Sequence, residues 1–255
     1  MSSPDLIETL DGGVLRLTID RPERRNAMST AVVEGLTRAI TEAGQGGAVR
    51  AIVITGNGEQ AFCSGADLQS GQSFQFDYSR PQLGFANLLR AAHASHVPLI
   101  ARVNGACMAG GMGLLAMCDM AVAAPHAQFG LPEVRVGVFP AQVLAVLQSL
   151  IPPRVLNQMC LTGRPIGAEQ ALALGLINAI DASDAALDAL LADLLAVSGV
   201  AQRRGLYTLK TARSMPFEQA MAFTESQIAL FAQTEDAREG QAAFREKRKP
   251  VWIGR

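Results

Sequence analysis

Short apolar runs rich in β-branched residues, separated by segments of helical pattern, constrain the fold of this 255-residue chain more than any other feature. Val14–Ile19 (VLRLTI) alternates and follows the turn signal Asp11-Gly12-Gly13, which predicts a strand. Residues 51–55 (AIVIT) form a continuous apolar run, as expected of a strand buried on both faces. Further strands are expected at 98–103 (PLIARV) and near Met120–Ala123. Between the first two lies a helical pattern over Thr30–Ala43, with Val33, Leu36, Ile40 and Ala43 on one face, Ser29 as N-cap and Gly44-Gln45-Gly46-Gly47 as its end. A second helix is expected over about 81–95, after a polar loop at 69–80. Alternating strands and helices read as an α/β fold. Beyond about Pro152 the pattern is almost entirely helical as far as Ala243, more helix than one sheet needs. Those helices are expected to pack as a C-terminal layer on this subunit or on a neighbour.

The composition, 49% hydrophobic and 18% charged, describes a soluble globular chain. A net charge of −1 with no long basic block argues against a nucleic-acid partner. The basic tail FREKRKP (244–250) reads first as a solvated helix end, with a local phosphate contact as the alternative. Cys63, Cys107, Cys118 and Cys160 show no C-x-x-C spacing and sit in apolar surroundings, so they are expected to be reduced core thiols in a cytoplasmic protein. No signal peptide is expected from MSSPDLIETL, and the uncharged run 136–153 is too interrupted for a membrane span. His93, His96 and His126 lack metal-like spacing, and Asp67 and Asp119 fit turns at element ends.

Two glycine-punctuated loops carry the functional signal. Residues 103–119 read VNGACMAGGMGLLAMCD, and 56–68 read GNGEQAFCSGADL. Gly111 to Ala116 satisfies G-x-G-x-x-G/A, and Glu133 lies 20 residues beyond Gly113, which would suit a dinucleotide fingerprint. Context opposes it. Seven residues, NGACMAG, follow Val103 before GMGLLA, and Glu133 follows Pro132 rather than closing a central strand. The competing reading is an oxyanion site. SGAD (64–67) and AGGMG (109–113) each place small residues after a strand, where a carbonyl can approach the backbone, and the second opens a helix whose first N–H groups lack internal partners. Tight turns and close packing would produce the same composition.

The order DRPERRNAM, GEQAFCSGADL, VNGACMAGGMGLLAMCDMAVAA, AQFGLPEVRVGVFP and LTGRPIGAEQALALGLIN resembles the crotonase superfamily, which includes enoyl-CoA hydratases and isomerases. The resemblance runs from about Asp20 to Asn178 and reaches FREKRKP. It implies a crotonase-like ββα-spiral core over 1–195 and a C-terminal helical trimerisation region over 196–255, assembled as a homotrimer or a dimer of trimers. It also implies an acyl-CoA substrate and no separate cofactor, coenzyme A being part of the substrate. By position, the N–H groups of Ala66 and Gly110 would form the oxyanion hole, and Ser64, Gly65, Asp67 and Leu68 would embrace the coenzyme. Arg25 and Ala27, before the NAM motif, and Lys247 near the C-terminus are further candidates for coenzyme contact.

The chain departs from the family pattern at one position. Hydratases carry a glutamate three residues after the oxyanion glycine, where this chain has Gly113; the second glutamate is present as Glu133. With one carboxylate, moving a double bond needs only proton transfer between C2 and C4, whereas hydration must also position water at C3. Leu131, Val136, Val138 and Phe139 are expected to wall Glu133 and raise its pKa. Gly113 could instead admit a bulkier acyl group, and Arg135 could meet a substrate carboxylate or an ordinary ion-pair partner. A non-catalytic acyl-CoA-binding protein, a decarboxylase and a thioester hydrolase are the other readings.

Overall fold

The computed structural model describes residues 5–67, 79 and 83–254. In chain order the elements are β1 (Leu6–Asp11), β2 (Val14–Ile19), α1 (Thr30–Ala43), β3 (Ala51–Gly56), β4 (Ala61–Cys63), α2 (Gly84–Ala94), β5 (Leu99–Val103), β6 (Ala106–Met108), α3 (Gly110–Ala116), β7 (Met120–Ala123) and β8 (Gln128–Gly130). There follow α4 (Ala141–Leu147), α5 (Pro153–Thr162), β9 (Ile166–Gly167), α6 (Ala168–Ala173), β10 (Ala179–Ile180), α7 (Ala185–Ala196), α8 (Gly199–Ala212), α9 (Phe217–Ala232) and α10 (Glu235–Glu246).

Two sheets result. The larger has the order β1-β2-β3-β5-β7-β10, antiparallel only between β1 and β2; the smaller has the order β4-β6-β8-β9, antiparallel only between β8 and β9. The chain therefore repeats one motif: a strand in the large sheet, a strand in the small sheet, then a helix, as in β3-β4-α2 and β5-β6-α3. Residues of the large sheet alternate between two cores. Leu17, Ile19, Ile52, Ile54, Leu99, Ala101 and Val103 pack with α1 to α3, whereas Val14, Ala51, Val53, Ile100 and Val122 pack against Leu187 and Leu191 of α7. Burial on both faces is the reason β3 and β5 are apolar throughout.

The helix Thr30–Ala43 and the strands Val14–Ile19 and Met120–Ala123 have the expected bounds, and the Ser29 hydroxyl accepts from the Val32 N–H as the cap should. Three expectations need correction. The loops containing SGAD and AGGMG each hold a strand, β4 and β6, whose three residues are too few to show a period. The region beyond Pro152 also contributes β9 and β10, two residues each. Finally, Asp119 is no simple turn residue. Its Oδ1 lies 3.2 Å from Lys210 Nζ and its Oδ2 accepts from the Leu99 N–H, fastening α8 to the sheet. The Pro81 start expected for α2 lies outside the described residues, as does the loop at 69–80 apart from Ser79.

α8, α9 and α10 pack on one another and leave large apolar side chains exposed, among them Leu209, Phe217, Ile228 and Phe244. Among the described residues no single helix is long and apolar enough to cross a membrane.

Candidate active site

The small sheet gathers the site. Its strands β4, β6 and β8 run parallel, in register Ala61↔Ala106, Cys63↔Cys107 and Met108↔Gly130, so the segments that follow them leave from one end. Those segments carry Ala66, Gly110 and Glu133 respectively. Strands too short to be seen by pattern thus place the segments carrying three residues distant in sequence at one end of one sheet.

The first loop is held by the chain before α1. A 3-10 turn over Pro22–Arg24 is followed by Arg25 and Asn26, both left-handed at φ 51 and 53. Asn26 tolerates that conformation well and is 1% exposed. Its Nδ2 donates to the carbonyls of Asn57 (3.0 Å) and Ala61 (2.6 Å), while its Oδ1 accepts from the Arg21 N–H. The Met28 N–H donates to Gly65 O at 2.8 Å and the Asp67 N–H to Met28 O at 3.1 Å, a one-residue parallel bridge between Met28 and Ala66. In such a bridge the N–H of the central residue points away from the partner strand. Ala66 N–H is thereby turned from Met28 toward α3.

From the other side, β6 is followed by Ala109, whose N–H donates to Gly130 O at 2.9 Å and whose φ of 53 and ψ of −123 are strained for a residue with a Cβ. This bend starts α3 at Gly110. A Cβ on Gly65 would stand 3.2 Å from Gly110 N, and one on Gly110 would stand 3.7 Å from Ala66 N, so the two backbones meet closely. Neither the Ala66 nor the Gly110 N–H has an acceptor among the described residues. Two donors without acceptors where two loops meet are the elements from which an oxyanion site is built.

Glu133 opens a 3-10 turn, Pro132–Val136, directly after β8 and the fully buried Leu131. Its Oε2 is buried with no hydrogen-bond partner among the described residues. Burial raises its pKa above the ordinary carboxylate value, which suits a group that must both take and return a proton. α5 packs on the turn that carries Glu133; burial raises the Cys160 thiol on α5, and the Glu133 charge raises it further. The expected apolar wall needs correction here. Leu131 is buried and Val138 half-buried, but the 3-10 turn carries Val136 (65% exposed) and Phe139 (49% exposed) outward.

The other predicted residues fall as follows. Gly113 is buried on α3, but it opens no space: a Cβ there would stand 2.7 Å from Phe85 Cζ and 3.4 Å from Val143 Cγ2. The Phe85 ring, and not open space for a bulkier acyl group, lies over Gly113 in this conformation. Asp67, expected to be a turn residue, is joined to the Arg21 guanidinium at 2.7 Å, both side chains being largely buried. Ser64 donates its N–H to Arg25 O at 3.1 Å, and Ala27 is buried beneath the same turn. Leu68 lies outside the described residues. Lys247 is exposed at the left-handed end of α10, and Arg135 is exposed with its side chain laid across Gly163. A cleft of about 520 Å³ lies beside Arg25 and Asn26, walled also by residues 57–61; Glu133 is not among its walls.

Sequence reasoning missed Arg21, Asn26 and Phe85. Arg21 binds Asp67 and Ala27 O (2.6 Å) and lies 3.3 Å from Asp5, tying both sides of the first loop together. Its only local signal is the polar stretch RPERRNAM, which does not tell a buried clamp from a solvated charge.

A family described as enoyl-CoA hydratase/isomerase matches residues 9–255. The chain is 34% identical to the carnitinyl-CoA dehydratase of Escherichia coli, covering 99% of this chain and all of that protein. Among solved structures it resembles an enoyl-CoA hydratase of Mycobacterium smegmatis (30% identity, TM-score 0.90, covering 98% and 99% of the two chains). It also resembles an enoyl-CoA hydratase/isomerase of Mycobacterium paratuberculosis (29% identity, TM-score 0.87, 98% and 99%). The chain belongs to the enoyl-CoA hydratase/isomerase family of the crotonase superfamily.

Proposed function

We propose that the protein isomerises the double bond of an enoyl-CoA thioester, with Glu133 as its single acid/base. The observation that carries this reading is the half-buried Glu133 carboxylate, its buried Oε2 without a hydrogen-bond partner among the described residues, on the segment leaving the same end of the small sheet as two backbone N–H groups without acceptors. The thioester oxygen accepts from Ala66 N–H and Gly110 N–H. Glu133 removes a proton from C2 of the 3-enoyl chain, and the electron pair spreads over C2 to C4 and the thioester oxygen. Protonated Glu133 then returns the proton to C4, and the dienolate collapses with the double bond at C2–C3. Each oxyanion donor is worth about 10²–10³ in rate. The chemistry needs no cofactor beyond the coenzyme carried by the substrate. Arg25, Ala27 and the loop from Ser64 through Gly65 and Asp67 to Leu68 are the proposed coenzyme contacts, with Lys247 a further one; of these, Arg25 alone lines the cleft beside it.

A second reading is reversible hydration, Glu133 drawing both hydroxide and proton from one water. It is favoured by the relatives bearing the names carnitinyl-CoA dehydratase and enoyl-CoA hydratase. The exposed apolar residues of α8 and α9 support a homotrimer or dimer of trimers, and the buried thiols support a reducing cytoplasmic setting.

The test follows the ultraviolet absorbance of the conjugated thioester. A rise with a 3-enoyl-CoA that is abolished by Glu133→Gln supports isomerisation. A fall with a 2-enoyl-CoA and no change with the 3-enoyl compound replaces it by hydration. Binding of both esters without turnover would leave an acyl-CoA-binding protein.

A further inference from the structure

Gly113 lies three residues beyond Gly110 on α3, and so on the same helical face one turn further from the two N–H donors. It is the position from which a second acid/base side chain would reach an acyl group held at Gly110. The space above it is occupied. Phe85, on the first turn of α2, brings Cζ to 2.7 Å and Cε1 to 3.2 Å of where a Cβ on Gly113 would stand, with Val143 Cγ2 of α4 behind at 3.4 Å. Contacts below 3.0 Å do not persist at a real Cβ, so even alanine at 113 requires the ring to move. The ring is half-buried: one side packs on the core, and part of its surface remains open.

We propose that Phe85 is a specificity-determining residue, its ring filling the volume in which a second carboxylate and its water would stand. The reading rests on Glu133 acting alone and explains how that is enforced. An apolar ring beside the acyl chain offers water no hydrogen bond, so water is not held for attack at C3. The proton on Glu133 then has C4 as its outlet. Phe85 and Gly113 form a matched pair, the ring on α2 occupying in this position the volume that a side chain on α3 would take.

The experiment compares wild type, Phe85→Ala, Gly113→Glu and the double variant, each assayed with a 3-enoyl-CoA and a 2-enoyl-CoA and each melted. Phe85→Ala is expected to raise the ratio of hydration to isomerisation about tenfold, and the double variant by about 10², the usual contribution of one added acid/base group. Gly113→Glu is expected to lower the melting temperature more when introduced into the wild type than when introduced into the Phe85→Ala variant. Should Phe85→Ala fail to fold, Phe85→Leu keeps apolar volume with a shorter reach, and a smaller rise in the same ratio is expected. An active wild type whose ratio is unchanged in Phe85→Ala or Phe85→Leu overturns the assignment while leaving the isomerase reading intact. A wild type that only hydrates, or turns over neither ester, overturns the isomerase reading and this assignment with it. Equal destabilisation by Gly113→Glu in both backgrounds refutes the matched pair.

Discussion

Gly65→Ala tests whether the two loops form one oxyanion site. Gly65 has φ +102, which an L side chain rarely adopts, and an added Cβ would stand 2.8 Å from Ala109 Cβ, 3.2 Å from Gly110 N and 3.4 Å from Met108 O. All three contacts lie on the loop that presents Gly110. The backbone share of the cost is about 1–3 kcal/mol, and overpacking adds about 1–3 kcal/mol. A total near 3 kcal/mol leaves a typical domain folded and lowers its melting temperature by about 6–12 °C at this size. Relieving the clash to ordinary carbon contact separates the loops by about 0.7–1 Å. A displacement of that size at a reacting centre costs about 10²-fold in kcat. The control is Gly175→Ala, where φ is +75 and nothing lies within 4 Å of the new Cβ, so the backbone strain comes without the clash. The assay pairs thermal melting with turnover of whichever enoyl-CoA the wild type prefers. Both variants should lose stability and only Gly65→Ala should lose kcat. Wild-type turnover in a folded Gly65→Ala protein would refute the convergence of Ala66 and Gly110 on one oxygen.

Further expectations concern charge and thiols. Glu133→Gln should abolish turnover yet stabilise the fold. Because burial raises the folded pKa, the stability cost of the ionised carboxyl group sets in as pH rises through the ordinary carboxylate range and is complete above the folded pKa. The variant's advantage in denaturant should thus be present at pH 8 and vanish near pH 4; an equal advantage at both pH values would contradict the desolvation argument. In the wild type the acid limb of kcat/KM should lie above the ordinary glutamate pKa, as read from a pH–rate profile. Arg21→Met removes the clamp between Asp67 and Ala27 O, in which the Arg21 and Asp67 side chains are 14% and 12% exposed. Breaking such a pair costs about 3–5 kcal/mol, so melting should fall by about 6–20 °C and kcat with it; an unchanged kcat would show that the clamp does not position Ala66. Burial pushes the Cys63 thiol up to about 12 and also holds the Cys107 thiol well above its ordinary value. Both should resist alkylation in the native protein and react after denaturation, as mass spectrometry can count; native labelling of either would disprove their burial.

Much of this protein is legible along the chain. The alternation in VLRLTI, the apolar run AIVIT and the capped helix Thr30–Ala43 are set by local chemistry: a period of two, burial on both faces, and a serine before a helical stripe. The motifs SGAD, AGGMG and LPE, read in order, pointed to the family and to Ala66, Gly110 and Glu133. What they could not show is contact. Two three-residue strands in parallel register bring the two loops together, and three residues are too short to show a period. Arg21 reaches across 46 residues to Asp67, where no local pattern separates a buried clamp from a solvated charge. At Gly113 a missing glutamate can be read from the chain as an empty place; the tertiary structure fills it with Phe85, because that side chain reaches from α2 over α3 and its ring takes the volume that a side chain at 113 would need.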